Sequence, residues 1–344
     1  VKVRAFVLTG PRTFAVVDVP EPVATAGEVI VDVERVGVCG TDVEFFGGSM
    51  AYLADGQARY PMRLGHEWAG TVSGVGEGVD PGWVGRRAMG DTMLGCGACR
   101  RCERGHAHVC ESRQEVGIRG DRPGALAERL AVPAGSLHAL PVGVDATAGA
   151  LVEPGGSALR AARAAACGPG ERALVLGPGT IGLLTAMFLR AEGVEVHLVG
   201  QTRESLAFAR QLGFASCWAE SDLPADLPFD AVLDCSNAAA LPALALQRVE
   251  PSGRVVYVGL APERSEIDTR RLALKDVTAV GILSGSPGLA ETIDLYASGA
   301  VDPRPLVAAT VGLDEVGDVL AGARPAGAGA GPKIHVDPRS HERP

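Results

Sequence analysis

Aromatic residues are scarce, at 4% of the 344 residues, so any core must be built from aliphatic side chains. Positive charge is short as well: 32 Lys and Arg face 41 Asp and Glu, a formal net charge of −9. A surface of that sign repels phosphate backbones and anionic lipid, which argues against nucleic acid or a membrane as the main partner. No run approaches the roughly 18 apolar residues needed to cross a bilayer. The first residues, Val1 to Leu8, alternate like a strand and lack a small-residue cleavage site, so no signal peptide is read and a cytoplasmic location is expected. With no secretory signal, the eight cysteines point to metal binding or inert thiols and not to a disulfide framework.

What is present is a globular balance, 47% hydrophobic and 21% charged, in a length that suggests about two domains. The first 145 residues or so are β-rich. Short alternating runs such as Val29–Val33 and Trp68–Val72 are separated by Gly and Pro, as in a turn-rich barrel or sandwich. From about residue 146 the pattern changes. Helical spacing through Ala158–Ala166 precedes the apolar run Arg172–Leu176, a helix at about Ile181–Glu192, a strand at Glu195–Val199 and a helix at about Arg203–Leu212. Further strands are expected at Ala231–Asp234, Arg254–Val258 and near Thr278–Ile282. Strands alternating with helices imply right-handed crossovers and a parallel sheet. A helix at Leu289–Ser298 then leads to strands at Ala308–Val311 and Lys333–Val336, with a loose loop at Ala323–Pro332 and a frayed tail from Asp337.

Two motifs carry chemistry by spacing. Cys96, Cys99, Cys102 and Cys110 place four thiols within fifteen residues, and tight CxxC turns let each pair of sulfurs reach one zinc ion. The last spacing is too long for the ferredoxin run, and no Pro follows Cys110. Four thiolates leave no open position, so this zinc is structural; His106 and His108, inside the segment, are read as surface or packing residues. The second motif, Gly177-Pro178-Gly179-Thr180-Ile181-Gly182, follows an apolar strand and opens a helix. Gly177 makes the turn, Gly179 admits a pyrophosphate to backbone N–H groups, and Gly182 permits close helix–strand packing, with Thr180 and Ile181 at the helix start. About twenty residues on, an NAD enzyme would show an acid; here Gly200 stands, followed by Thr202 and Arg203. Those residues favour NADP over NAD, because no carboxylate repels a 2′-phosphate and Arg203 can bind one. The alternative is that Arg203 is an exposed first-turn residue and Glu204 or a water serves the ribose.

Gly37-Val38-Cys39-Gly40-Thr41-Asp42 and Gly65-His66-Glu67 are modest alone. Together with the cysteine segment and the glycine motif, in this order, they make the chain resemble the zinc-dependent medium-chain alcohol dehydrogenases over nearly its whole length. The resemblance implies an α/β protein. A GroES-like β-barrel catalytic domain would be formed by residues 1–145 and 290–344, and a Rossmann doubly wound parallel-sheet domain by 146–289. It implies a catalytic zinc on Cys39 and His66. Glu67 is a ligand in the polyol, sugar and threonine dehydrogenase branch, which Leu151-Val152-Glu153-Pro154 also resembles. The resemblance implies that Glu153 binds zinc directly or through its water. Zinc with the Cys39 thiolate, neutral His66 and the Glu67 carboxylate is net neutral, and Glu153 would bring it to −1, so Glu153 is expected to yield when substrate arrives.

On this reading two zinc ions are bound per subunit, and a secondary alcohol is oxidised to a ketone. Thr41 takes the substrate proton and Asp42 orients the histidine ligand. Relatives often carry His where Glu44 stands, so Glu44 is expected to face substrate hydroxyls. Leu260 and Ser284 are expected beside the nicotinamide, and Lys333 at the pyrophosphate. Substrate contacts are assigned to the loops Gly47–Tyr60 and Arg113–Ala125; Cys167, Cys217 and Cys235 are read as inert. The expected substrate is a small polyol, sugar, cyclitol or amino-sugar precursor, with a threonine-like amino alcohol as the runner-up, and the expected assembly is a homodimer or homotetramer. A zinc-free quinone reductase would lack Cys39 and His66, and a silent relative would show a damaged zinc shell; neither pattern is present.

Overall fold

The computed structural model describes residues 1–340. A hairpin of β1 (Lys2–Gly10) and β2 (Thr13–Pro20) covers one side of the N-terminal part. β3 (Glu28–Gly37) leads into two short helices, α1 (Gly40–Gly47) and α2 (Ala51–Ala54), before β4 (Glu67–Val75) returns antiparallel to β3. β5 (Arg87–Gly90) extends this sheet. The small hairpin of β6 (Met93–Leu94) and β7 (Gln114–Glu115) brackets the cysteine segment and its single helical turn α3 (Arg100–Glu103). β8 (Arg129–Pro133) pairs with β3, and β9 (Leu137–Ala139) with β5.

Helices α4 (Ala146–Ala150) and α5 (Val152–Ala165) lead into the second half. There β10 (Arg172–Leu176), α6 (Thr180–Ala191), β11 (Glu195–Val199), α7 (Arg203–Gln211) and β12 (Ser216–Trp218) follow in turn. β13 (Phe229–Asp234), α8 (Leu241–Arg248), β14 (Val249–Tyr257), α9 (Thr269–Leu274) and β15 (Thr278–Gly281) complete the series. All six strands run parallel in the order β12-β11-β10-β13-β14-β15. The order reverses between β10 and β13, and that crevice at the strands' carboxyl ends is where a doubly wound sheet binds a dinucleotide. β10 shows why its apolar run is continuous. Ala173 and Val175 pack into the core under α5 and α6, while Leu174 and Leu176 pack into a second core on the opposite face. A strand covered on both sides has no solvent face to make polar.

After α10 (Leu289–Ala297) the chain returns to the first sheet through β16 (Val307–Val311), α11 (Val316–Leu320) and β17 (Lys333–Val336). β17 pairs with β3, completing a seven-stranded barrel sheet. The expected mixed architecture is therefore present, with three local differences. α10, assigned by sequence to the returning catalytic part, packs on the dinucleotide side: Tyr296 stacks on Phe188 of α6 and donates to the Leu151 carbonyl. The stretch Ala323–Pro332 is pinned, not loose, because Gly329 N–H bonds to Ala308 and Arg324 reaches the Gly329 and Gly331 carbonyls. Within the described residues, the tail at 337–340 is likewise tied down. Asp337 pairs with Arg35 at 2.7 Å and its N–H donates to Val311; residues 341–344 lie outside the described residues. β12, α8 and α9 are elements the sequence pattern did not announce.

His335, on β17, is fully buried and neither ring nitrogen has a hydrogen-bond partner among the described residues. Burial, helped by the cations of Lys333 and Arg35, pushes its pKa from 6.5 down to about 3. The folded ring stays neutral through that window while the unfolded ring takes up a proton, so stability falls as pH drops from 6.5 towards 3. Replacing His335 by Leu should remove about one proton, or ~1.4 kcal/mol per pH unit, from the slope of unfolding free energy against pH. Denaturant titrations across that range measure it, and an unchanged slope would contradict the assignment.

Candidate active site and metal centres

The cysteine segment forms a compact thiol cage. All four Sγ atoms lie within 4.8 Å of one another, with Cys99 at 3.6 Å from Cys102 and 3.7 Å from Cys110. A tetrahedron with Zn–S arms of about 2.3 Å has edges of about 3.8 Å, so this spacing fits a metal and is far too long for a disulfide. Gly95 makes room for the cage, since a Cβ there would stand 2.9 Å from the Cys102 sulfur. His106 and His108 are not members of the set.

A second cluster joins Cys39, His66 and Glu67 within the same limit. Cys39 caps α1 just after β3 ends, and its N–H donates to Asp42 Oδ2 at 2.9 Å. Asp42 Oδ1 approaches His66 Nδ1 at 3.6 Å, and among the described residues both buried atoms have no hydrogen-bond partner. Burial opposes a charged imidazole here, yet Asp42 and Cys39 outweigh it and hold the His66 pKa above its usual value. A buried acid and a sulfur that together draw a proton onto a histidine make a place where positive charge is wanted, which a divalent metal satisfies. The Thr92 hydroxyl donates to the His66 carbonyl and steadies that backbone. Gly37 faces Glu67 across the β3–β4 ladder, where a Cβ would fall 2.1 Å from a Glu67 oxygen.

Lys333 is the clearest correction. Expected at the pyrophosphate, it is 4% exposed and donates to Glu67 Oε1 and Oε2 at 2.9 and 2.7 Å and to the Val38 carbonyl at 2.9 Å. Three donors meet three acceptors, leaving none for a cofactor. Glu67 can bind metal only by sharing its oxygens with this ammonium. Glu153 stands outside the three-residue cluster, on the first turn of α5. Its pKa is raised to about 7, by burial first and then by Glu67 and Asp91, against His66 and Lys333. Thr41 sits partly exposed on α1, and Glu44, one turn on, is exposed.

The other expected cofactor residues follow the carboxyl ends of the parallel strands. Gly177 takes φ +94°, Gly179 caps α6 with open space beside it, and a Cβ at Gly182 would strike the Gly177 carbonyl at 1.9 Å. Those are the features of a backbone cradle for phosphate. Thr180 and Ile181 open α6. At Gly200 a Cβ would meet Pro178 at 2.8 Å and Leu206 at 2.9 Å, so an acid there would require those side chains to shift. Thr202 caps α7 through Ser205 N–H, and Arg203 is exposed on its first turn. Leu260 is exposed after β14.

Ser284 adopts φ +67° and bonds through its hydroxyl to Ser286 at 2.8 Å. Sequence reasoning missed what holds it. Ser286 donates to Asp91 Oδ1 of the barrel at 2.7 Å, and Arg160 of α5 donates to the Leu283 and Ser284 carbonyls. Asp91 and Ser286 are 195 residues apart, and no local pattern joins them. Of the thiols read as inert, Cys167 and Cys235 have pKa values pushed up to about 12 by burial.

Known proteins share this arrangement. The family description "Alcohol dehydrogenase GroES-like domain" matches residues 25–142, and "Zinc-binding dehydrogenase" matches residues 180–298. A 2-dehydro-3-deoxy-L-galactonate 5-dehydrogenase from Pseudoalteromonas atlantica is 34% identical, over 91% of this chain and 92% of its own length. An L-threonine 3-dehydrogenase from Streptomyces avermitilis is 31% identical over 93% and 94%. Among solved structures, a candidate zinc-binding dehydrogenase from Sinorhizobium meliloti bound to NADP superposes with a TM-score of 0.88 at 26% identity, covering 98% of this chain and 100% of that one. A barrel with a second metal-competent cluster, facing a parallel sheet with a phosphate cradle, is the architecture of a nicotinamide-dependent oxidoreductase. The chain belongs to the zinc-dependent medium-chain alcohol dehydrogenase family.

The buried pair makes a direct prediction. In metal-free protein Lys333→Met should cost about 3–5 kcal/mol in denaturant unfolding, because Glu67 is then left charged and unpaired. Adding Glu67→Gln to it should restore most of that loss, and strictly additive losses would contradict the pairing.

Proposed function

We propose that this enzyme oxidises, reversibly, a secondary alcohol on a polyhydroxylated substrate such as a sugar, sugar acid, polyol or cyclitol. The observation that carries this reading is the carboxylate-rich cluster: Cys39, His66 and Glu67 within 4.8 Å of one another, with Glu153 close by. The 2-dehydro-3-deoxy-L-galactonate 5-dehydrogenase relative acts on a sugar acid and supports it. The threonine dehydrogenase relatives favour a second reading, an amino-alcohol substrate.

Cys39, His66 and Glu67 would hold a catalytic zinc, and the four-cysteine cage a structural one. The Gly177–Gly182 turn would hold the cofactor's pyrophosphate. Zinc would supply acidification of the alcohol, and nicotinamide would supply the hydride acceptor. The chain's residues do the rest. Asp42 aligns His66, and Lys333 keeps Glu67 charged inside the barrel. The Thr41 hydroxyl, two residues beyond Cys39, accepts the substrate proton and passes it outward. Glu153, close to the three-residue set but outside it, would be a further ligand, directly or through water, and the one that substrate replaces. Ser284, held by Ser286 and Asp91, and Leu260 border the nicotinamide.

NADP is preferred because Gly200 carries no acid and Arg203 stands exposed at the start of α7. β15 is an open sheet edge flanked by the exposed Leu274 and Leu283, which suits a homo-oligomeric contact. Eight free cysteines accord with a reducing, cytoplasmic setting.

Three measurements test these points. A screen of sugar acids, polyols and amino alcohols with both cofactors, followed at 340 nm, should give turnover with a polyhydroxylated alcohol; activity confined to threonine-like substrates would overturn the reading. Arg203→Ala should raise KM for NADP about tenfold while barely changing that for NAD, and equal effects would defeat the 2′-phosphate assignment. Elemental analysis should find two zinc ions per subunit. Cys39→Ser should lose one zinc and activity at little cost to Tm, and Cys99→Ser should lose the other together with thermal stability.

A further inference from the structure

A cavity of about 480 Å³ lies on the outside of the barrel, between the β1–β2 hairpin and the segments around Met62 and residues 118–123. It shares no residue with the metal cluster or the phosphate cradle. In a chain of net charge −9 its wall is cationic, with Arg59, Arg63, Arg119 and Arg122 facing the single carboxylate of Asp121. Three of the arginines have partners. Arg59 pairs with Asp121 at 2.5 Å, and Arg122 pairs with Glu28 at 2.5 Å. Arg119 lies 4.0 Å from Glu115 and covers the Tyr52 ring.

Arg63 differs. Its Nε is buried without a partner, and its guanidinium makes no hydrogen bond or ion pair among the described residues. Burial alone pulls its pKa down to about 10. The Nε of Arg122 is buried and unpartnered as well. Arg63 is half-buried, and a guanidinium whose Nε is enclosed without an acceptor is costly; such groups are ordinarily satisfied. Arg63 stands only three residues before His66, but its place on the cavity wall, beside three further guanidiniums, supplies what it lacks within the chain: room for an anion.

We propose that this cavity binds a phosphate-type dianion, held by Arg63 and its neighbours Arg59, Arg119 and Arg122. Guanidinium forks match phosphate oxygens in pairs, and two or more converging on one group give both affinity and orientation. The cavity is several times larger than one phosphate ion, and Val7, Val19 and Ile118 line the remainder with apolar surface. A phosphate monoester with a small organic part fills that space better than orthophosphate does.

The test uses zinc-loaded enzyme saturated with whichever reduced nicotinamide cofactor binds more tightly, so that the dinucleotide site is already filled. Glycerol 3-phosphate and orthophosphate are titrated separately by calorimetry at matched ionic strength. Saturable binding of one anion per subunit is expected, weakened about tenfold or more by Arg63→Gln. Tighter binding of the ester identifies an organic phosphate as the ligand, and equal affinities identify orthophosphate. Should Arg63→Gln fail to fold, Arg59→Gln, at an exposed position, should weaken binding severalfold. Absence of saturable heat from either anion, or affinity unchanged in the folded variants, overturns the proposal.

Discussion

The buried ion pair between Glu67 and Lys333 is the contact on which the site depends. Glu67 begins β4 and Lys333 begins β17, 266 residues later, and the two strands flank β3 in the barrel sheet. A carboxylate this deeply buried persists as an anion only beside a cation. Lys333 therefore does two things at once. It fastens the returning C-terminal strand to the barrel, and it keeps an anionic oxygen next to Cys39 and His66. The cost of burying two charges is accepted where a neutral core would pack more cheaply, which is what a metal-binding barrel requires and a purely structural one does not.

The second constraint is the seam between barrel and parallel sheet. Substrate held by the barrel and nicotinamide held by the sheet must meet at bonding distance, so the two halves need a fixed relation. The Asp91–Ser286 hydrogen bond crosses that seam, and Arg160 steadies its inner side through the Leu283 and Ser284 carbonyls. They hold Ser284, a left-handed non-glycine residue, just after the last strand of the parallel sheet.

Much of this was legible in the sequence, for reasons that are local. The four cysteines lie within one short loop, so their spacing nearly determines the cage. The glycines at 177, 179 and 182 sit on one strand–turn–helix, and the steric demands at Gly182 and Gly200 act on near neighbours in the fold. The apolar run of β10 announces a strand covered on both faces. What could not be read is what joins distant segments. Lys333 lies two residues before His335 in a short strand, and nothing in Lys-Ile-His-Val tells a pyrophosphate contact from a buried pair with Glu67. Asp91 resembles any turn acid until Ser286 is brought to it. α10 has the amphipathic pattern of a helix that could pack on either half; Tyr296 against Phe188 decides the matter, and that contact exists only once α6 is in place.

The account rests on a metal ion held by Cys39, His66 and Glu67. Anomalous diffraction at the zinc edge from crystals of the zinc-loaded enzyme tests it most directly. Two peaks per subunit are predicted, one enclosed by the four cysteine sulfurs and one within bonding distance of the Cys39 sulfur, the His66 ring and a Glu67 oxygen. A single peak in the cysteine cage, with the Cys39 cluster empty in fully loaded protein, would contradict it.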